Sequence, residues 1–322
     1  MNAATETSEG FVAPAGAPRP VRPFYWSVRR ELWENRSLMI APLVVAGIAV
    51  LALVYRALSG QHDLQALAQV PPEVQGRIVA FAYGVITWAI SAVMHIAVFF
   101  YLLDALQGER KDRSVLFWKS MPVSDTTTVL SKLFTALAVS AAIVVAVAIA
   151  TQLLVLVLLS AIVMIAGVNP AALWSGELLQ MTLAIIYWQI AVALWYAPLA
   201  AWLLLVSAWA KRVTILWAVF TPVAVALFER VALNTHYVQD AINSRLHDPV
   251  VARFMTQGRG AEFTVGSEGV RTEGFNRGFP THVLDSLDPV GFFTNPWLWV
   301  GLVVAAGLVA AAIWMRRYRE PI

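Results

Sequence analysis

The sequence predicts an all-α integral membrane protein with six transmembrane helices, an N-terminal interfacial helix and a large extracytoplasmic segment between spans five and six. Hydrophobic residues make up 59% of the 322 residues and charged residues only 13%, whereas an ordinary soluble domain has about 25% charged residues. The apolar residues form long runs, and the basic residues are distributed unevenly between the connections. Such a chain cannot cover its apolar surface with polar groups in water, so it requires hydrocarbon around it.

Six apolar runs predict the spans, because a helix of about 20 residues crosses the hydrocarbon layer. The third run has no Gly, Pro or charge between Leu133 and Ile165, which predicts one long helix rather than a pair of helices. The fifth run is short and contains Pro222, but it can extend through residues 231–233. The six runs cover residues 38–55, 78–103, 133–168, 178–210, 213–228 and 296–315.

The N-terminal region divides into a proline-containing flexible tail, residues 1–23, and an interfacial helix, residues 24–36. Aromatic side chains such as Trp33 suit the headgroup region, while Arg29, Arg30 and Glu34 are predicted to face water. The beginning of the chain lacks an early apolar stretch that ends in a cleavage site, so we expect no signal peptide.

Basic residues set the predicted orientation. With both termini in the cytoplasm, including the tail 316–322, the inner segments carry 15 Lys and Arg residues and the two short outer loops carry 2. The long segment after span five is left out of this comparison, since long loops cross the membrane largely regardless of charge. The sequence therefore predicts a multi-pass protein of the cell inner membrane, with spans one to five and their connections in residues 37–233.

The extracytoplasmic segment, residues 234–295, begins with a helical pattern in which Val238, Ile242 and Leu246 recur at every fourth position. This helix is expected to lie on the membrane surface or to cap the outer mouth, and the glycines after residue 257 end it. Asp285 and Asp288 are predicted to serve as turn and cap residues rather than as a catalytic pair.

Several chemistries are excluded or disfavoured by the residues present. The absence of cysteine removes disulfides, thiolate metal sites and cysteine nucleophiles, and no phosphate-binding loop or hydrolase motif occurs. No carboxylate lies well inside a span, which disfavours an ion-coupled carrier. Among the intramembrane polar residues His95, Gln152 and Gln189, we expect the histidine to make a packing contact rather than a proton relay. No catalytic residue, metal site, cofactor or nucleic-acid partner is predicted for this chain.

The inner loop, residues 104–132, combines charged residues with the apolar block 115–118. Two interpretations stay open for it: an interfacial linker anchored by Trp118 and Lys119, or a docking helix for a soluble cytoplasmic partner. The loop reads Gly108-Glu109-Arg110, then Ser114, then Met121-Pro122-Val123-Ser124, and ends at Lys132.

This pattern resembles the E-R-x-x-G-[ST]…P-[VI]-[ST]…K signature of ABC-2-type permeases, the membrane subunits of ATP-binding-cassette transporters. Arg113 stands where the family has a glycine. The resemblance implies a coupling helix that docks in a separate ATPase, formed by Glu109, Arg110, Arg113, Ser114, Phe117, Trp118 and Pro122. It also implies that the interfacial helix, with Arg29, Arg30 and Trp33, acts as a connector.

The resemblance further implies an assembly of two ATPase subunits, which hold ATP and Mg, with two permease subunits that are identical or different. The expected function is export of a hydrophobic or amphiphilic substrate through the lipid membrane, by a subunit that is not itself an enzyme. Two alternatives remain: an intramembrane enzyme or sensor that uses His95, and a membrane scaffold whose outer segment binds a partner.

Overall fold

The computed structural model describes residues 22–59, 72–111, 123–165, 169–174, 177–246, 263–266, 269–272 and 287–318. The predictions made for residues 1–21, 112–122 and 319–322, and for most of 247–286, lie outside the described residues. Within the described part, the chain is predominantly helical, as the composition predicts.

The first half of the chain forms a short surface helix, a helical hairpin and a long helix. The interfacial segment is α1 (Pro23–Glu34), and it leads directly into α2 (Ser37–Ser59). Helix α3 (Pro72–Asp104) returns along α2 and ends in the short α4 (Gln107–Lys111). Helix α5 (Asp125–Phe134) continues through a π-helical turn, Thr135–Val139, into α6 (Ser140–Ile165).

The second half of the chain consists mostly of shorter helices separated by turns. A 3₁₀ turn, Pro170–Trp174, precedes α7 (Glu177–Trp195), which is followed by α8 (Ala197–Trp209) and α9 (Thr214–Phe228). A π turn, Glu229–Leu233, extends α9, and α10 (Tyr237–Leu246) folds back against α9. An antiparallel hairpin pairs β1 (Phe263–Gly266) with β2 (Gly269–Thr272). The described chain ends with α11 (Pro289–Thr294) and α12 (Pro296–Tyr318).

Five of these helical stretches are long and apolar enough to cross a membrane: Ser37–Arg56, Ala82–Lys111, Asp125–Ile165, Thr214–Leu233 and Pro296–Tyr318. In the most apolar 18-residue part of each, no more than 39% of the residues are buried inside the protein. Apolar surface left outside a protein interior on this scale requires hydrocarbon as its solvent. The protein is therefore a helical membrane protein.

The long third run behaves as the sequence predicts, because Asp125–Ile165 is one continuous helical stretch of 41 residues. The extension of the fifth helix through Leu233 is likewise confirmed. The fourth run, 178–210, is broken instead: α7 and α8 meet at Tyr196 with a bend of 49°. Pro198 lies at the start of α8, where its missing N–H and its ring disfavour a continuous helix.

The core lies where α8 packs along α12 and against α3. Alanines on α8, including Ala200 and Ala201, allow the close approach to α12, where Ala305 and Ala312 are also buried. The neighbouring positions of α3 are filled by larger side chains such as Leu102. This packing brings the end of α12, the end of α3 and the beginning of α5 together at one end of the bundle.

At the opposite end, two charged side chains are held by backbone groups. Arg245 of α10 donates from Nη1 to the carbonyl of Trp195 over 2.6 Å and from Nη2 to the carbonyl of Trp297, and its guanidinium lies 4.0 Å from the centre of the Trp195 ring. The Glu229 carboxylate accepts from the backbone N–H groups of Tyr237 and Val238, each over 2.7 Å. It thereby caps the start of α10.

The segment 234–295 agrees with the prediction in part. The predicted helix is present as α10, although its pattern beyond residue 246 lies outside the described residues. The cap role of Asp288 is confirmed, since its Oδ1 accepts from the N–H of Gly291 over 2.8 Å, while Asp285 lies outside the described residues. The hairpin β1–β2 is not predicted by the sequence reasoning, because its glycines were interpreted only as helix breakers.

Candidate functional site: a buried ion cluster

Six charged side chains meet at the end of the bundle where α1, α4, α5 and α12 converge. We call them the ion cluster, and this end of the bundle the cluster end. The three cations and three carboxylates come from segments that lie far apart in sequence: Arg30, Glu31, Glu109, Asp125, Lys132 and Arg316.

Glu31 is the most buried member, with only 1% of its surface exposed. Lys132, which is 2% exposed, donates from Nζ to both oxygens of this carboxylate, at 2.9 and 3.0 Å. The Tyr101 hydroxyl of α3 donates to Oε2 over 2.9 Å. Glu31 thus links the interfacial helix to α3 and α5 through hydrogen bonds that involve its charge, which are stronger than neutral ones.

Glu109 is the second centre of the ion cluster and bridges three cations. Its Oε1 lies 3.1 Å from Lys132 Nζ and 3.0 Å from Arg30 Nη2, and its Oε2 accepts from Arg316 Nη1 over 2.6 Å. Arg316 also donates from Nε to Asp125 Oδ1 over 3.0 Å. A single carboxylate therefore connects α4 with α1, α5 and α12.

The formal charges of the ion cluster sum to zero. Removing charges from water costs several kcal/mol for each ion, and this cost is offset only when each charge is closely paired. Loss of one partner leaves an uncompensated buried charge, at a cost of about 3–5 kcal/mol. The ion cluster consequently connects four elements through charge pairs that are costly to separate.

At the edge of the ion cluster, the charged form of Arg30 is favoured and that of Glu34 is disfavoured. Burial acts to lower the pKa of Arg30, but the carboxylates of Glu31, Glu34 and Glu109 outweigh it, so the pKa of this guanidinium is raised. Burial raises the pKa of Glu34 above its ordinary value, although Arg30 lies 3.5 Å away and acts in the opposite direction. The ionised form of Glu34 is thus disfavoured at the rim of the ion cluster.

Of the predicted coupling residues, Glu109 is a cluster member and Arg110 lies beside the cluster. Arg110 donates from Nη2 to the carbonyl oxygens of Ser207 and Ala210, at 2.5 and 2.8 Å, which fixes α4 against the last turn of α8. The loop returns to the described structure at Ser124, which caps α5 by accepting from Thr127 N. The remaining predicted positions lie outside the described residues: Arg113, Ser114, Phe117, Trp118 and Pro122.

The helix predicted for residues 24–36 is present as α1, but the prediction that Arg30 faces water is wrong. Only 21% of its side chain is exposed, because it turns into the ion cluster. Arg29 instead lies over the rings of Trp26 and Trp33, 5.2 and 4.6 Å from their centres. Trp33 and Glu34 are exposed, as predicted.

Of the three intramembrane polar residues, His95 and Gln189 lie close together, whereas Gln152 lies apart from them. His95 Nδ1 lies 2.6 Å from the Ser91 carbonyl oxygen of its own helix, and Gln189 Nε2 donates to Ser91 Oγ over 3.0 Å. The His95 ring makes an edge contact with Tyr196. Gln152 is buried on α6, and its Nε2 has no hydrogen-bond partner among the described residues.

Sequence reasoning does not single out Glu31, Tyr101, Asp125 or Arg316. One signal for Glu31 was present: it follows Val28 by three positions and Phe24 by seven, so it shares their helix face. Phe24 packs against Phe134 at the end of α5. A carboxylate on the packed face of an amphipathic helix requires a buried cation as its partner.

No three His, Asp or Glu side chains in the described part of the chain are arranged to hold a metal ion. The chain matches no known protein family, no curated protein and no solved structure at a significant level.

Proposed function

We propose that this chain is the membrane-spanning permease subunit of an ABC-2-type transporter, which exports a hydrophobic or amphiphilic substrate. The ion cluster is the observation that carries this proposal. Two residues of the loop motif, Glu109 and Lys132, lie 3.1 Å apart within it, and the interfacial helix and the last helix join them there. A subunit driven from outside needs such a connection between its docking loop and its spans.

In this proposal α7 and α8 form one bent span, so that the membrane is crossed six times. The cluster end faces the cytoplasm and both termini lie there, in the inner membrane of the cell. The excess of basic residues in the segments assigned to the inside supports this orientation, at 15 against 2. The five candidate spans, together with the bent pair counted as one span, support six membrane crossings.

The proposed energy source is a pair of separate ATPase subunits that bind ATP and Mg, below two permease subunits. ATP-driven closure of the ATPases displaces the loop 104–132 and the interfacial helix. Because Glu109 is paired with Lys132 and Arg316, this displacement moves α5 and α12 together. The relative tilt of these helices then changes access to the cleft between the permeases, with no catalytic step on this chain.

The direct test is co-purification of the tagged full chain from its native membranes. We expect an ATPase with a phosphate-binding loop to accompany it, and the double change Phe117→Ala with Trp118→Ala to weaken that association. The matched control is Phe293→Ala with Trp299→Ala, which removes two exposed aromatic side chains at the opposite end. Absence of any ATPase, or equal effects of the two double changes, contradicts the proposal.

The orientation has its own test, because the chain contains no cysteine and a single introduced thiol is an unambiguous reporter. A membrane-impermeant maleimide added to intact cells should label Tyr237→Cys, and it should label Lys111→Cys and Arg317→Cys only after the membrane is opened. Labelling of Lys111→Cys in intact cells contradicts the proposed orientation.

A further inference from the structure

A cavity of about 450 Å³ lies between α3, the π turn before α6, α7 and α8. Its volume is within the range of small-molecule sites, about 300–1,000 Å³. The walls are predominantly apolar, and five neutral polar side chains interrupt them: Ser91, His95, Ser140, Gln189 and Tyr196.

The cavity coincides with two departures from regular helix geometry. Ala136 and Leu137 of the π turn line the cavity, and so does Tyr196 at the break between α7 and α8. A π turn widens a helix locally and occurs frequently at functional sites. The small side chains of Ala141 and Ala193 keep the cavity open.

The hydrogen bonds of His95 define what the cavity offers to a ligand. A carbonyl oxygen only accepts, so the contact of Nδ1 with the Ser91 carbonyl at 2.6 Å places the proton on Nδ1. In the neutral ring, Nε2 is then a hydrogen-bond acceptor. The neighbouring Tyr196 hydroxyl can both donate and accept. This pair suits a hydroxyl group, which also donates and accepts.

The charge of the ligand follows from the lining, since no Asp, Glu, Lys or Arg is among the described residues that line the cavity. A charged head would lose its hydration here without gaining a counter-ion. The cavity also borders the outer surface of the helices, because Trp88, one of its lining residues, is 67% exposed. This position suits a ligand that arrives from the bilayer.

We propose that this cavity binds a neutral amphiphile with a hydroxyl-bearing head, such as a medium-chain monoacylglycerol, whose head bonds to His95 and Tyr196. The role of this amphiphile as cargo rests on the proposed permease function, whereas its binding requires no ATPase. Gln189 acts as a positioning residue, because it donates to Ser91 Oγ beside the histidine.

The test uses the full chain in phosphatidylcholine nanodiscs and a monoacylglycerol that carries a photoactivatable diazirine. Peptide mapping should place the label within residues 88–102 and 188–203. His95→Phe keeps an aromatic ring but removes both nitrogens, and we expect labelling to fall about five- to ten-fold, as for loss of one hydrogen bond. Ala193→Phe fills the cavity and should reduce labelling at least as much.

Gln189→Leu and Gln152→Leu form a matched pair, because both glutamines are buried but only Gln189 lines the cavity. We expect labelling to fall for Gln189→Leu and to persist for Gln152→Leu. An acylcholine and a fatty acid of the same chain length, each with the same diazirine, test the charge argument and should label weakly.

Label spread evenly over the lipid-facing helices, equal labelling by the charged probes, or equal effects of the two glutamine variants would overturn the proposal. The thermal midpoint of each variant is measured beside its labelling, so that misfolding is recognised separately from lost binding. Specific labelling in the absence of any associated ATPase would leave the cavity proposal in place and contradict the permease function. Association with an ATPase but no specific labelling would leave the permease function in place and contradict the cavity proposal.

Discussion

The two ends of the bundle hold their buried charges in different ways. At the cluster end, Lys132 and Arg316 are neutralised by carboxylates from other helices. At the opposite end, Arg245 is held by two carbonyl oxygens and a tryptophan ring, and Glu229 by backbone N–H groups and the Thr235 hydroxyl. The first arrangement joins elements through pairs of opposite charges, whereas the second pairs each charge mainly with neutral backbone groups.

This difference indicates different mechanical properties. In the ion cluster, a shift of any of four elements changes the distances between full charges, so the elements must move together or pay a large electrostatic cost. At the opposite end, the contacts of Glu229 join residues within nine positions of each other. The contacts of Arg245 reach residues 50 and 52 positions away, but they are made to neutral carbonyl oxygens rather than to opposite charges. We therefore expect substitutions at the cluster end to cost more stability than those at the opposite end.

The largest effect is expected from Lys132→Met, which removes the more deeply buried of two cations that Glu31 and Glu109 share and leaves them Arg30. We expect a loss of about 3–5 kcal/mol in the free energy of unfolding, measured by thermal or chemical unfolding in detergent. Lys111→Met is the matched control, since Lys111 is exposed on α4. Equal effects of the two changes would show that the cluster charges are not tightly paired.

At the opposite end, Gly301→Ala is expected to displace Arg245, because a Cβ at residue 301 would collide with the guanidinium. Overpacking of this kind costs about 1–3 kcal/mol. Gly307 lies on the same helix with nothing near its Cβ position, so Gly307→Ala is the control. If both changes leave the thermal midpoint equally unaffected, the close contact between Arg245 and Gly301 is absent.

A double-mutant cycle sharpens the comparison by measuring coupling directly. We expect Glu109→Gln and Arg316→Gln to be non-additive by about 1 kcal/mol or more, because their side chains are 2.6 Å apart. Substitutions at separated sites, such as Arg316→Gln with Gly301→Ala, should add within about 0.5 kcal/mol. The measurement is the unfolding free energy of the four members of each cycle. Additivity of the first pair would show that Glu109 and Arg316 are not coupled in the ion cluster.

The smallest effect is expected for Glu34→Gln at the rim of the ion cluster. The raised pKa of Glu34 means that the folded protein binds its proton more tightly than the unfolded chain does, so ionisation at neutral pH costs stability. Removing the charge should raise stability at pH 7 by no more than about 0.5 kcal/mol, given the exposure of this side chain. The gain should vanish below about pH 4, where the carboxyl group is protonated in both states. A loss of stability at pH 7 would contradict this sign.

The sequence predicts what depends on local pattern. The apolar runs gave the candidate spans, and the uninterrupted run after Leu133 gave one long helix, because length and composition alone decide whether a helix suits hydrocarbon. The break at Tyr196 was only partly within reach, since Pro198 disfavours a continuous helix there, whereas Pro222 lies inside α9 without such a break. Hydropathy alone indicates one continuous run over residues 178–210 and does not indicate the break.

The candidate site could be predicted only in part. Glu109 and Lys132 belong to a local motif, but the contact between Glu31 and Lys132 joins residues 101 positions apart. The contact between Glu109 and Arg316 joins residues 207 positions apart. Such pairings depend on how helices pack, which the periodicity of one segment does not determine. The bond between Arg245 and the Trp195 carbonyl depends in turn on the break between α7 and α8.

The central claim is that an ATPase acts on this chain at the cluster end. Its most direct test places a photoreactive benzoylphenylalanine at Lys111, beside the ion cluster, and, in a second variant, at Tyr237 at the opposite end. After illumination of native membranes, mass spectrometry should identify an ATPase with a phosphate-binding loop attached at position 111 and not at position 237. Attachment at position 111 only to lipid, or to the same proteins as at position 237, would contradict the claim.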